Sequence, residues 1–215
     1  MGSMTSPASD SLKEIVARLD QRIQTVDEER WLSSRYAPDP VRQPLIILYA
    51  FYYELARVRV VVTDQTMGQI RFQWWRDALE ELQQGAPRQH DVVLALASLL
   101  SEHDLDFGQL EKLIAAHEAA FLNEDRSAEP EDLLVGIAAT LLGNTADELG
   151  PIAREWAALR RGDSIEQVLP KQRVKSALRP ATAHFRMRHA WKRGRKLSPL
   201  QKRLSVLCAM LVGRI

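Results

Sequence analysis

Apolar residues recur every three or four positions along most of this chain, and the strict alternation of a half-buried strand is missing. Ile15, Leu19 and Ile23 repeat at helical spacing behind Ser11 and Glu14, a capping-box pair, so the first helix is expected to open at Ser11. Pro38, Pro40 and Pro44 interrupt the chain before a second run over residues 45–62. Its β-branched end, residues 58–62, reads as the end of a buried helix. Residues 63–66 are polar with N-cap chemistry and predict a helix over residues 67–84, closed by Gly85, Ala86 and Pro87. Residues 92–100 form a short buried helix. Asp106 opens another, with Leu110, Leu113, Ile114 and Phe121 on one face. Pro130 with Glu131 and Asp132 suits a first helical turn, and Pro151 starts a helix reaching Arg161. A basic helix is expected over residues 172–196, and Ser198 with Pro199 caps the last one. The pattern predicts an all-α fold of eight or nine helices, with no repeat and no linker.

Composition narrows this picture. A chain of 215 residues, 46% of them apolar, suits one domain with a well-formed core. The opening Met1-Gly2-Ser3-Met4 looks like a cloning remnant, which places the domain at residues 5–215 with basic helices over residues 171–215. The longest apolar runs, residues 92–100 and 204–212, are about half the roughly 20 residues a membrane-crossing helix needs. Cys208 is the only cysteine, which excludes an internal disulfide and every multi-cysteine metal site. A reducing compartment is expected, with the chain on the cytoplasmic or organelle-matrix side, soluble or peripheral to a membrane.

Charge is unevenly placed. The formal net charge is +1, yet 13 of the 29 lysines and arginines follow Glu166 and no acidic residue does. Such a tail seeks an anionic partner: lipid head groups, an acidic protein surface, or the acidic part of its own fold. Nucleic acid is disfavoured, because no recognised binding motif accompanies the charge.

Three blocks carry a resemblance: Trp31-Leu32-Ser33-Ser34-Arg35-Tyr36-Ala37-Pro38, then residues 44–57 with Leu48-Tyr49-Ala50-Phe51 at their centre, then Gly68-Gln69-Ile70-Arg71-Phe72-Gln73-Trp74-Trp75-Arg76-Asp77. Together they resemble consecutive blocks of the squalene/phytoene synthase family. Leu149 to Ala153, Leu159-Arg160 and Val168-Leu169-Pro170 resemble a shortened form of its second conserved region. The resemblance implies a helical bundle of the isoprenoid-synthase type, shortened on its C-terminal side, around a central cavity where prenyl diphosphates bind. Diphosphate departure develops strong negative charge, which Mg²⁺ neutralises, and Mg²⁺ needs carboxylate oxygens. The resemblance places the first acidic cluster near Ala56, Arg57 and Val60, none of which is an acid; Glu54 is the only acid between Asp39 and Asp64. In the second region, between Leu159 and Pro170, only Asp163 and Glu166 remain. This pattern resembles a degenerate branch of the family that includes the mitochondrial complex I assembly factor of the same ancestry.

Candidate residues follow from both readings. Arg57, Arg59, Arg71 and Arg76 either line a pocket for an anionic head group or pair with Glu54, Asp77, Glu80 and Glu81. Trp74 and Trp75 either contact a prenyl chain or pack; neighbours on a helix diverge by about 100°, so at most one faces a cavity. Ser33, Ser34, Tyr49, Tyr53 and Gln73 complete the ligand-binding candidates. Metal-binding histidines are rejected: His103 and His117 sit on separate helices, and His184 and His189 are five apart, off the spacing of a ligating pair. In the expected basic helix, Val174, Leu178, Ala181 and Phe185 form an apolar stripe beside Arg173, Lys175, Arg179, Arg186, Arg188, Lys192 and Arg193, with Trp191 as an interfacial anchor. The alternative is that the stripe packs on the bundle.

The expectation is a non-catalytic relative acting as a peripheral membrane binding or assembly factor, holding a prenyl or lipid ligand and no cofactor. The rival is a Mg²⁺-dependent prenyltransferase with a rearranged site built on Asp77, Glu80, Asp163 and Glu166.

Overall fold

The computed structural model describes residues 7–125 and 129–215. The leading Met1 to Met4 lie outside them. The helices are α1 (Pro7–Val26), α2 (Glu28–Ser34), α3 (Asp39–Val61), α4 (Gln65–Gln83), α5 (Asp91–Glu102), α6 (Phe107–Leu122), α7 (Glu131–Leu141), α8 (Gly150–Arg161), α9 (Arg179–Thr182), α10 (Arg188–Trp191) and α11 (Pro199–Val212). Short 3₁₀ turns cover Asp147–Leu149, Ser176–Leu178 and Ala183–Met187. Among the described residues the regular elements are helices, as the periodicity predicts, apart from one isolated bridge between Arg173 and Arg214.

Local chemistry explains most boundaries. The Asp64 carboxylate accepts from the Met67 amide, and Asp106 accepts from Gly108. Ser198 and Gln201 form a reciprocal capping box that brackets Pro199, the first residue of α11. Two starts differ from expectation. α1 opens at Pro7, upstream of the Ser11 pair, because proline is preorganised for a first turn. α3 opens at Asp39 and absorbs Pro40 and Pro44 near its start, where few helical hydrogen bonds are at stake.

Residues 172–196 do not form one helix. Pro180 lacks an amide proton and its ring opposes a preceding helical turn, and the segment breaks into α9, α10 and 3₁₀ turns. Residues 172–174 are extended instead. Gln172 and Ile215 exchange backbone hydrogen bonds, Val174 donates to Gly213, and Arg173 bridges Arg214. Val174, Leu178, Ala181 and Phe185 are all buried, so the expected membrane-facing stripe is core.

Two apolar cores share one seam. The larger joins α1, α3, α4, α5 and α6. The smaller gathers Leu32 of α2, Trp156 of α8, Val174, Leu178, Ala183, Phe185 and Met187, and Val206 and Ala209 of α11. α7 serves both: Leu134, Ile137 and Ala138 face the first, Val135 and Ala139 the second.

Helices α4 and α6 approach closely at Gly68, where an added Cβ would stand inside the ring of Phe121. Gly68→Ala is expected to lower stability by about 1–3 kcal/mol through overpacking; urea unfolding followed by circular dichroism measures it, and an unchanged midpoint would contradict the packing.

Candidate functional site

Tyr52, Ala56 and Val60 follow one another at four-residue intervals and so share a face of α3. Ala56 and Val60 border a cavity of about 590 Å³, together with Arg59, Thr63, Phe121, Glu129 and Arg161. The resemblance expects carboxylates near Ala56, Arg57 and Val60; the structure puts methyl groups at 56 and 60 with Arg59 and Arg161 beside them, and turns Arg57 to another cleft. Arg161 pairs with Glu129 at 3.1 Å and with Asp163 at 2.7 Å. Arg59 donates to the Asp125 carbonyl at 2.7 Å, and burial pushes its pKa down despite nearby Glu129. Asp77 accepts from Gln73 and lies 3.8 Å from Arg88, while Glu80 is an exposed acceptor for Gln84. Glu166 is also exposed. Among the described residues no three Asp, Glu, His or Cys side chains gather where they could hold a cation. The donors present therefore do not fit the magnesium cluster that family chemistry requires.

One turn deeper along α3 lies a polar network at the seam of the two cores. Arg30, only 2% exposed, binds the Asp27 carboxylate beside it and the Glu131 carboxylate at the start of α7. The Tyr52 hydroxyl donates to Glu131 at 3.2 Å. The Arg30 guanidinium also lies 5.0 Å from the Tyr52 ring centroid and 4.8 Å from that of Trp156. Burial alone would raise the Asp27 pKa, but Arg30 and Arg160 outweigh it and hold the carboxyl below its ordinary value. Burial dominates at Glu131 and raises its pKa, with Arg30 offsetting part. Burial also raises the Tyr52 hydroxyl pKa, and Glu131 pushes it further.

Two histidines flank this network. His117 meets the Tyr52 ring edge-on at 4.8 Å, and His184 meets Trp156 at 4.8 Å. Neither ring nitrogen of either histidine has a hydrogen-bond partner among the described residues. Burial, reinforced by Arg59 and Arg30, lowers the His117 pKa to about 3. Burial and Arg30 lower that of His184 well below its ordinary value.

The sequence-derived ligand candidates separate into different places. Arg57, Arg71 and Trp74 come together in a second cleft of about 340 Å³, with Glu54, Trp75 and His90. Both tryptophans border it, edge to face at 4.9 Å, so helical divergence does not send them apart. Arg57 lies 3.7 Å from Glu54, and Arg71 makes no ion pair among the described residues. Arg76 pairs across to Glu118 of α6, and Glu81 is taken by Arg88. Ser33 and Ser34 are fully buried and donate to the carbonyls of Arg179 and Trp31. Tyr49 is buried against Arg30, and Tyr53 packs on the larger core. Arg30 and Asp27 escaped the sequence reading, which took Glu131 for a helix start and His117 and His184 only as rejected metal ligands; the i, i+3 spacing of Asp27 and Arg30 was the one available signal of the network.

The basic tail also divides. Arg188 is fully buried and donates to Glu155 at 2.6 Å, which removes it from any surface. Arg179 donates to the Met210 carbonyl and Arg186 to the Arg214 carbonyl. Trp191 packs on the smaller core. Arg173, Lys175, Lys192 and Arg193 are exposed.

The sequence profile described as squalene/phytoene synthase matches residues 23–135, the stretch that carries Arg30, Ala56, Val60 and Glu131. The chain is also similar to proteins named NADH dehydrogenase (ubiquinone) complex I, assembly factor 6. The human protein is 30% identical over 92 residues, which are 43% of this chain and 28% of the relative. The rat protein is 32% identical over the same shares. The aligned stretch thus spans less than a third of each relative. No solved structure matches.

Removing Arg30 strands two buried carboxylates. Arg30→Ala is expected to cost about 3–5 kcal/mol in urea unfolding. Glu131→Gln, which keeps an acceptor for Arg30, is expected to cost about 1–2 kcal/mol; equal losses would contradict the shared-cation geometry. Stability should also fall on acidification. The unfolded chain protonates histidine near its ordinary value while His117 stays neutral to about 3, so lowering the pH from 7 to 5 removes about 2 kcal/mol through this group. His184 acts in the same direction. Glu131 acts oppositely, because the folded state takes up its proton first as its ordinary range is approached. Unfolding free energies that rise between pH 7 and 5 would overturn the assignment.

Proposed function

The chain belongs to the squalene/phytoene synthase family, and from that membership we propose that it is a non-catalytic member acting as an assembly factor for a respiratory NADH dehydrogenase, stationed at a membrane surface. The observation that carries this reading is the missing acidic pair on α3: Ala56 and Val60 line the 590 Å³ cavity where the resemblance implies carboxylates, and the two glutamates that do border it, Glu124 and Glu129, share it with Arg59 and Arg161. Ionisation of an allylic diphosphate without divalent cations forfeits several kcal/mol of charge stabilisation. Arginines alone bind the diphosphate without drawing it off its carbon. The name borne by the mammalian relatives supports the assembly role.

The cavity keeps a size suited to a small-molecule ligand. Its arginines match an anionic head, and Phe121 with the valines matches an apolar body, so a prenyl or lipid ligand held without metal fits this reading. No observation favours the prenyltransferase alternative, because Asp77 and Asp163 are each engaged with neighbours on their own surfaces.

Deletion of the gene in its host is expected to deplete the assembled NADH dehydrogenase on native gels. The wild-type gene and an Asp163→Asn/Glu166→Gln variant should restore it equally. Purified protein given Mg²⁺ and labelled farnesyl or geranylgeranyl diphosphate should release no diphosphate above a heat-killed control. Turnover, or normal enzyme levels in the deletion strain, would refute the proposal.

A further inference from the structure

α11 is packed on one side only. Val206 and Ala209 are buried in the smaller core, and Lys202 reaches Glu28 and Glu29 of α2. The opposite side carries Leu200 (65% exposed), Leu204 (50%), Leu207 (38%) and Leu211 (73%). At 3.6 residues per turn these four fall within about 60° of one another, a continuous apolar ridge along the helix. Four leucines in one exposed row are a patch rather than the scattered apolar residues of an ordinary surface.

The surroundings of the ridge identify its occupant. Lys192, Arg193, Arg195 and Lys196 precede the helix start, all exposed and without ion pairs among the described residues. Arg203 flanks the ridge and is exposed. At the far end Arg214 and Arg173, joined by their backbone bridge, are also exposed. No acidic residue follows Glu166, so a second copy docked on this face would set like charges against like. An anionic lipid surface satisfies both features, taking the leucines into the acyl boundary and the cations at the phosphates. The helix has 14 residues, about 21 Å, against the roughly 30 Å of a hydrocarbon core, so it lies along the surface and does not cross.

We propose that α11 is the membrane-docking element of this protein: it lies in the head-group layer of an anionic bilayer with Leu200, Leu204, Leu207 and Leu211 inserted and the cations at both ends on lipid phosphates. This rests on the membrane station proposed above and names the surface responsible. It differs from the sequence expectation, in which residues 174–185 would supply the apolar stripe.

Flotation with phosphatidylcholine vesicles, with and without phosphatidylglycerol, tests it. The full chain should bind the anionic vesicles and lose them as salt rises. A Leu204→Gln/Leu207→Gln/Leu211→Gln variant alters only exposed positions; it should keep its melting temperature and bind about tenfold less or weaker still. A Lys192→Glu/Arg193→Glu/Lys196→Glu variant should do the same, and Lys112→Glu, on α6, should bind as wild type. Wild-type binding unchanged in the glutamine variant would overturn the docking element while leaving the membrane station intact. No wild-type binding to anionic vesicles would defeat both, with the assembly role still decided by the deletion strain. A dimer in sedimentation that the glutamine variant abolishes, with vesicle binding retained, would assign the ridge to a second copy and overturn the proposal.

Discussion

A guanidinium group with almost no access to water holds the two halves of this molecule in register. Arg30 rises from α2, binds Asp27 on its own side and Glu131 at the start of α7, and rests against Tyr52 of α3 and Trp156 of α8. Burying one cation without partners costs several kcal/mol; two carboxylates and two aromatic faces offset that cost. Asp27 is local, but Glu131, Tyr52 and Trp156 come from α7, α3 and α8, so the network is complete only when both cores are assembled. A buried ion cluster of this kind adds little net stability over an apolar filling, but it penalises every arrangement in which a partner is displaced.

The same cluster sets the electrical character of everything above it. Asp27 remains charged, Glu131 holds its proton more readily, and His117 and His184 are kept neutral by burial next to guanidinium groups. Moving outward along α3, the cavity wall is alanine and valine with Arg59 and Arg161 beside them. A synthase of this fold needs the reverse, clustered carboxylates concentrating divalent cations around a departing diphosphate. Here two arginines, Arg59 and Arg161, face two glutamates, Glu124 and Glu129, around the cavity, and Arg161 is paired with Glu129.

Much of the architecture was legible in the sequence because it depends on local chemistry. Asp64, Asp106 and Ser198 cap helices as their spacing from amide donors requires. The β-branched end of α3 stays helical through Val61 as expected, but it is not the buried helix end that was expected: Val58 is buried while Val60 and Val61 are exposed. That residues 56, 57 and 60 carry no acid stands in the sequence; that acids belong there is what the resemblance implies. What escaped depends on distant contacts. Charge and periodicity made residues 172–196 look like one amphipathic helix, but Pro180 breaks it and the C-terminal strand-like segment pairs with residues 172–174. Arg30 and Glu131 are 101 residues apart, and nothing local marks either as buried. The exposed ridge of α11 was read as apolar sequence; which side faces the core is settled only by the layer it packs against.

The account turns on whether this cavity retains affinity for divalent cations. Titrating the protein with Mn²⁺ in the presence of inorganic diphosphate, while following free Mn²⁺ by electron paramagnetic resonance, reads that affinity directly. The free signal should match that of diphosphate alone at every protein concentration. A stoichiometric loss of free Mn²⁺ that Asp163→Asn/Glu166→Gln relieves would show that carboxylates of this chain still gather metal, and would contradict the account.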